Sequence, residues 1–292
     1  MKGNFYKQIV HTWMFGNMEL ESVSGIVKSI GFDGLDLSVS SKGCGAPGKY
    51  LSSNVRRITH DYGIEICAVT AMFDDKGVDL SSPDKKTREA AVEFAKRCAD
   101  VAAHCGCDRV LVSPSHITVN HGIHTSYEQD WKTSVEALHA VGRYAQDIGV
   151  MLMVEPINRY RVSLVHTISE AQKMVKDIGL PNIYIVPDTF HMSMEESDSV
   201  ADAIKRAGKL MKCLHIGDNN RMPPGYGNID WKEIILALDE IKFSGPLSYE
   251  TVYLYFDAKK VEQFPEYRKE FLSHLETGRR YLQTLIDTVS TG

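Results

Sequence analysis

No CxxC pair occurs in this chain, no GxGxxG follows its first apolar stretch, and no run of about 18 apolar residues appears anywhere in it. Each absence removes a class of function. The six cysteines are scattered, Cys105-Gly106-Cys107 is too tight for the usual zinc knuckle, and Cys67 and Cys213 sit in apolar runs. They read as reduced thiols of a cytoplasmic protein, several of them core residues. The opening MKGNFYKQIVHTW lacks an apolar signal core, so neither export nor a membrane is expected. Basic charge is also short: 33 Lys and Arg stand against 38 Asp and Glu, a net charge of −5, with no basic cluster along any predicted face. A nucleic-acid partner is disfavoured on that ground. No Pro/Gly/Ser-rich linker divides the chain and no internal repeat shorter than a strand-helix unit is visible, so residues 1–292 are expected to form a single domain.

What is present is the material of a soluble globular protein, 43% apolar and 24% charged. Strand-like and helix-like stretches alternate throughout. Strands are expected at Phe5 to Trp13, Gly34 to Leu37, Ile64 to Ala71, Arg109 to Ser113, Val150 to Glu155, Ile183 to Val186, Lys212 to Ile216 and Leu247 to Tyr249. Helices are expected at Met18 to Ser29, Lys49 to Tyr62, Pro83 to His104, Tyr127 to Ile148, Ile168 to Ile178, Ser199 to Leu210, Trp231 to Ile241 and Pro265 to Val289, with Ser82, Pro83 and Asp84 opening the third. Val39 to Gly48 reads as a long loop over the mouth of the fold. Parallel neighbours need crossover helices, so this alternation predicts the α/β class, and eight units in 292 residues suit a single (β/α)8 TIM barrel.

Such barrels work at the C-terminal ends of their strands. Glu155 ends the fifth strand in VMLMVEPINRYR, Asp188 the sixth in IVPDTFH, His215 the seventh in KCLHIGD and Glu250 the eighth in PLSYET. Singly, each has an ordinary reading: a strand cap or an arginine partner for Glu155, a helix cap for Asp188, a hydrogen-bonded core imidazole for His215, a solvated carboxylate for Glu250. Together, three carboxylates converging on one rim repel one another unless a cation neutralises them. An oxygen-rich set with one nitrogen suits Mn²⁺, Mg²⁺ or Co²⁺ better than a structural zinc.

The segments EPINRYR, DTFHM, HIGDNNRMPPGYGNIDW and SYET resemble the strand-end motifs of the D-tagatose 3-epimerase and D-allulose (psicose) 3-epimerase group of the xylose-isomerase-like sugar isomerase/epimerase superfamily. The match is strongest from about residue 150 to 250. The resemblance implies a divalent-metal enzyme, most often Mn²⁺-dependent, with Glu155, Asp188, His215 and Glu250 as metal ligands and Glu155 and Glu250 as the acid/base pair. A ketose chelated through its carbonyl and adjacent hydroxyl would lose a proton to one carboxylate and regain it from the other on the opposite face of a cis-enediolate. Return to the neighbouring carbon would instead be aldose–ketose isomerisation. His191 and Arg221 match substrate-holding positions of the group, the alternatives being a helix-start residue and a surface ion pair. A homo-oligomer, dimer or tetramer, is implied in the same way.

One position departs from the pattern. Where the group carries a second Glu six residues after the strand-five ligand, this chain has Arg161, a donor-only cation in place of an acceptor-only anion. If Arg161 faces the ligand, an inosose, a sugar acid or a 3-keto-glycoside lyase substrate competes with a free keto-sugar; if it points outward, the inference disappears. Asn158 shares that turn, and Trp13 and Phe73 offer either an apolar wall for the substrate or barrel packing. His116, His121 and His124 in SHITVNHGIHT belong to a polar lid or to a second ion site. Two other classes remain open, an endonuclease IV-like metal hydrolase and a sugar-binding protein without catalysis.

Overall fold

A computed structural model describes residues 6–119, 122–253 and 256–291. Within them the chain runs β1 (Gln8–His11), α1 (Leu20–Ser29), β2 (Gly34–Ser40), α2 (Pro47–Ser52), α3 (Val55–Asp61), β3 (Glu65–Met72), α4 (Lys85–Cys105), β4 (Arg109–Val112), α5 (Tyr127–Asp147) and β5 (Met151–Val154). It continues through α6 (Ile168–Ile178), β6 (Ile183–Ile185), α7 (Thr189–Glu195), α8 (Val200–Ala207), β7 (Leu214–Ile216), α9 (Trp231–Glu240), β8 (Leu247–Tyr249), α10 (Ala258–Gln263) and α11 (Pro265–Thr291). Strand order by hydrogen bonding is β6-β5-β4-β3-β2-β1-β8-β7, and the paired registers are parallel. Strands β1, β7 and β8 are buried along their whole length, including the polar residues Gln8, His11, His215 and Ser248 that they carry inward.

The chain divides into two compact units built from interleaved segments. One comprises Met1–Asp36, Arg57–Glu65 and Pro187–Gly292 and holds β7, β8, β1 and the first half of β2. Its registers set His11 beside Asp36, Ile9 beside Ser248 and His215 beside Ser248, and a bridge joins Asp188 to His215. Phe32 packs edge-on against Tyr249 at 4.9 Å, and Phe15 against Phe271 at 6.1 Å. The other unit comprises Leu37–Arg56 and Ile66–Val186, from the second half of β2 to β6. Its core includes Phe73, set edge-on to Phe94 at 5.4 Å, so Phe73 is a packing residue. Burying an aromatic or branched aliphatic side chain of this size stabilises by about 1.5–3 kcal/mol.

Local chemistry explains where the elements differ from expectation. The single helix expected over Lys49 to Tyr62 is two, because Ser53 turns extended and its hydroxyl donates to the Tyr50 carbonyl at 2.9 Å, ending α2 in place of the next helical turn. β2 continues to Ser40, so Val39 is a buried strand residue and the loop that follows is shorter, with a 3-10 turn at Gly43–Gly45. Asp84, not Ser82, caps α4, its carboxylate accepting from the Thr87 amide at 2.8 Å. α8 stops at Ala207 and gives way to a 3-10 turn at Gly208–Leu210. Helices α7 and α10 are too short to show a periodic stripe and were not expected. Among the described residues no helix is long and apolar enough to cross a membrane.

Candidate active site

Asp188 stands just past β6, at the N-terminus of α7, and its two oxygens do different things. Oδ1 accepts from the Phe190 amide at 2.8 Å and caps the helix, while Oδ2 pairs with the guanidinium of Arg221. The ordinary reading of Asp188 as a cap is therefore correct for one oxygen only. His215, at the centre of β7, turns Nδ1 toward Glu250 Oε2 at 3.1 Å. Glu250 leaves β8, with its amide donating to the Ile216 carbonyl at 3.1 Å, and its Oε1 lies 2.9 Å from Arg221 Nη2. Candidate ligand atoms of Asp188, His215 and Glu250 lie within 4.8 Å of one another.

Arg221 is presented by the loop HIGDNNRMPPGYGNIDW, which is wound around one buried carboxylate. Asp218 accepts from the Gly225 and Ile229 amides at 3.0 and 3.1 Å and from the Trp231 indole at 2.9 Å. Gly227 passes so close that an added Cβ would meet the side-chain oxygens of Asp218 and Asn219. Arg221 itself takes a left-handed backbone, φ 63°, pinned by a 2.8 Å bond from its amide to the Asp218 carbonyl and a 2.7 Å bond from the Val252 amide to its own carbonyl. Strain of this kind, of order 1–3 kcal/mol, persists where surroundings enforce it and is frequent at functional sites. Its guanidinium lies 4.7 Å over the Phe190 ring and bridges Asp188 and Glu250, so it is not a surface ion pair.

Charges in the cluster follow from this arrangement. Burial alone pushes the Glu250 carboxyl up, but Arg221, His11 and His215 together hold it well below the usual carboxylate range. Burial drives the His191 imidazole down to about 4, with Arg221 adding to the fall and Asp188 opposing it. His191 is thus a neutral ring at pH 7, 3.8 Å from Asp188, able to donate one hydrogen bond. Trp13, half-buried in the 3-10 turn Thr12–Phe15 after β1, stacks edge-on to Phe256 at 5.7 Å.

Two further residues of this unit were not picked out from the sequence. His11 ends β1 and Asp36 lies inside β2, and both are fully buried. His11 Nε2 is 3.4 Å from Asp36 Oδ2, its ring meets that of His215 edge-on at 4.5 Å, and burial holds it below its ordinary pKa against the pull of Asp36. The missed signal was a charged residue within the apolar run GLDLSV, which a buried strand tolerates only beside a partner.

In the second unit Glu155 leaves β5 buried, its amide donating to the Val112 carbonyl at 3.4 Å. Asn158 is buried and organises the turn that follows: its side-chain oxygen accepts from the Tyr160 amide at 3.1 Å and its carbonyl from Arg161 at 2.9 Å. Arg161 is exposed. Burial raises the Asp74 carboxyl, and the charges of His116 and Arg161 partly offset that. His124 Nε2 lies 2.7 Å from Asp79, which also accepts from the His116 amide at 3.2 Å, so these histidines tie the loop after β4 to the segment after β3. Among the described residues neither enters a cluster of potential metal ligands, and His121 lies outside the described residues.

The residues present fit a divalent cation. Two carboxylates and an imidazole converge beside a guanidinium that already supplies positive charge between the acids, which is the electrostatic demand a metal would meet. The donor set, oxygen-rich with one nitrogen, suits a hard or borderline divalent ion rather than a thiolate-bound one.

Relatives place the arrangement. The chain is 32% identical over 199 residues, 68% of each protein, to the D-psicose 3-epimerase of Agrobacterium fabrum. It is 31% identical over 232 residues, 77% of this chain and 75% of the relative, to the D-psicose 3-epimerase of Ruminiclostridium cellulolyticum. A solved L-ribulose 3-epimerase superposes with a TM-score of 0.82 at 24% identity, covering 97% of this chain and 95% of that one. The model of the xylose isomerase-like TIM barrel family matches residues 25–271, and the chain, a (β/α)8 barrel, belongs to that family.

Proposed function

We propose that this protein is a metal-dependent ketose 3-epimerase, inverting the carbon next to a ketose carbonyl through a cis-enediolate. The observation that carries the reading is the convergence of Asp188, His215 and Glu250 around the Arg221 guanidinium, in a chain whose relatives are epimerases. Glu155, buried at the exit of β5, is the fourth ligand in this reading, and residues 1–292 act as one catalytic domain. Mn²⁺ is the preferred cofactor, with Mg²⁺ and Co²⁺ able to substitute. When bound, such an ion polarises the ketose carbonyl and stabilises the charge that builds on its oxygen.

The protein's own groups do the rest. In this reading Glu155 and Glu250 form the acid/base pair, one removing the C3 proton and the other returning a proton to the opposite face of the planar intermediate. The neighbours of Glu250 keep it ionised, the form in which a carboxylate can accept a proton. His191, neutral, donates a hydrogen bond to a substrate oxygen near the carbonyl, and Arg221 holds the substrate hydroxyls. Asn158 and Trp13 line the binding region. The protein works in the cytoplasm on a small keto-sugar or related polyol, as a dimer or tetramer.

A second reading within the same chemistry rests on Arg161, a cation where the epimerase group carries glutamate, whose charge acts on Asp74 in the segment after β3. It favours a substrate with an anionic or glycosidic remote end, such as a sugar acid or a 3-keto-glycoside. The net charge of −5 speaks against the endonuclease IV-like alternative.

The test is turnover of a panel of ketoses, ketoglycosides and keto-acids with Mn²⁺ by the wild type, Glu155→Gln and Glu250→Gln. The proposal predicts ketose epimerisation by the wild type and its loss in both folded variants. Activity confined to the keto-acids or ketoglycosides would favour the second reading. Substrate binding without turnover by the wild type, or full activity in either variant, would overturn both.

A further inference from the structure

Asp36 plays no part in the chemistry above, yet it is an acid at 0% exposure in the middle of β2. Keeping a carboxylate there costs several kcal/mol unless hydrogen bonds and charge compensate it. Its Oδ2 is where the compensation gathers: Ser248 Oγ donates to it at 3.1 Å, His11 Nε2 lies 3.4 Å away and His215 Nε2 lies 3.5 Å away. Strand register produces this meeting. His11 is the partner of Asp36 across β1 and β2, and Ser248 is the partner of His215 across β7 and β8.

His215 therefore has two different sides. Nδ1 looks toward Glu250 at 3.1 Å, and Nε2 looks toward Asp36. A neutral imidazole carries its proton on one nitrogen and a lone pair on the other; once a cation occupies the Glu250 side and takes the Nδ1 lone pair, the proton belongs on Nε2, which faces the Asp36 carboxylate. Carboxylates behind metal-ligating histidines fix ring orientation and tautomer in this way.

We infer that Asp36, anchored by Ser248 and His11, is a positioning residue that holds His215 as the Nε2-protonated tautomer and so presents Nδ1 to the catalytic cation. The inference rests on the reading of His215 as a metal ligand. A competing arrangement exists on the same ring: ligand atoms of Asp36, Cys213 and His215 also lie within 4.8 Å of one another. The proximity of Nδ1 to Glu250 decides against it.

Asp36→Asn is the direct test, because an amide can offer N–H to Nε2 and thereby favour the non-ligating tautomer. Three readouts apply to the full-length protein. In protein saturated with diamagnetic Mg²⁺, ¹⁵N-edited NMR of the His215 ring is expected to show one tautomer, protonated at Nε2, in the wild type and a shift toward the Nδ1-protonated form in the variant. Competition with a chromogenic chelator is expected to show Mn²⁺ affinity falling about 10- to 100-fold. Co²⁺-loaded wild type is expected to lack a thiolate charge-transfer band. Ser248→Ala, which removes only the anchoring hydroxyl, is expected to weaken Mn²⁺ binding severalfold and serves if Asp36→Asn does not fold.

Unchanged tautomer and affinity in folded Asp36→Asn, unchanged affinity in Ser248→Ala, or a Cys213-dependent charge-transfer band would each overturn the inference. His215→Gln separates this failure from failure of the site itself. If His215→Gln retains wild-type metal affinity, the ligand assignment falls; if it loses binding while the Asp36 variant keeps it, only the role of Asp36 falls.

Discussion

Arg221 holds the acidic cluster together through two ion pairs, at the cost of a left-handed backbone. Removing it leaves Asp188 and Glu250 facing each other without a cation, so Arg221→Ala is expected to destabilise metal-free protein by about 3–5 kcal/mol, since breaking a buried pair strands its partner. A divalent ion restores the missing charge, so the loss is expected to shrink when Mn²⁺ is added. Urea unfolding with chelator and with Mn²⁺ measures the difference, and an equal loss under both conditions would contradict the charge balance described here. The cluster also shows how far single residues could be read from the sequence. The strand-end positions of Glu155, Asp188, His215 and Glu250 were legible because a carboxylate or imidazole closing an apolar strand is conspicuous. His11 and Asp36 escaped notice because their significance depends on strand register, which brings residues 25 positions apart side by side. The double use of Asp188, one oxygen to the α7 amide and the other to Arg221, is a matter of rotamer.

Helix α6 and the loop after β7 show the same logic at the level of elements. α6 opens with a complete capping box: Thr167 accepts from the Glu170 amide at 3.3 Å, and Glu170 accepts from the Thr167 amide at 3.1 Å. The side-chain bond to His166, opposed by burial and aided by the His166 and Thr167 backbone amides, holds the Glu170 carboxyl at about 2, against 4.5 for the free group. Because the folded-state value is the lower one, the associated stability is present above about pH 4.5 and is lost as pH falls toward 2. Glu170 is partly exposed, so its contribution is discounted to about 1 kcal/mol. Glu170→Gln is expected to cost that much at pH 7 and to flatten the acid limb of a denaturation profile between those values. In the loop after β7, Gly227→Ala is expected to cost about 2 kcal/mol or more, because the methyl collides with the carboxylate that organises Arg221; chemical denaturation together with KM for the ketose would register both effects. Helix boundaries were legible where caps and glycines marked them, as at Ile168 to Ile178. They were misread where a serine turned the chain, as at Ser53, or where a helix was too short to show a stripe, as at Thr189–Glu195.

For the whole molecule, the α/β alternation identified the barrel because parallel strands, buried on both faces, leave a contiguous apolar trace between helices. Nothing comparable announces the two compact units, whose segments interleave along the chain. Metal binding is expected to be a property of the folded protein, so Mn²⁺ at about 100 times its Kd should stabilise by about 2.7 kcal/mol and raise Tm, an effect lost in Asp188→Asn. Scanning calorimetry with and without chelator checks this. The central claim, a proton removed from C3 and returned from the opposite face, is tested most directly by turnover of a ketose with Mn²⁺ in D₂O, followed by NMR of the recovered sugars. Deuterium at C3 alone, in product and in returned substrate, is the predicted result; deuterium at C1, or none in any ketose, would contradict it.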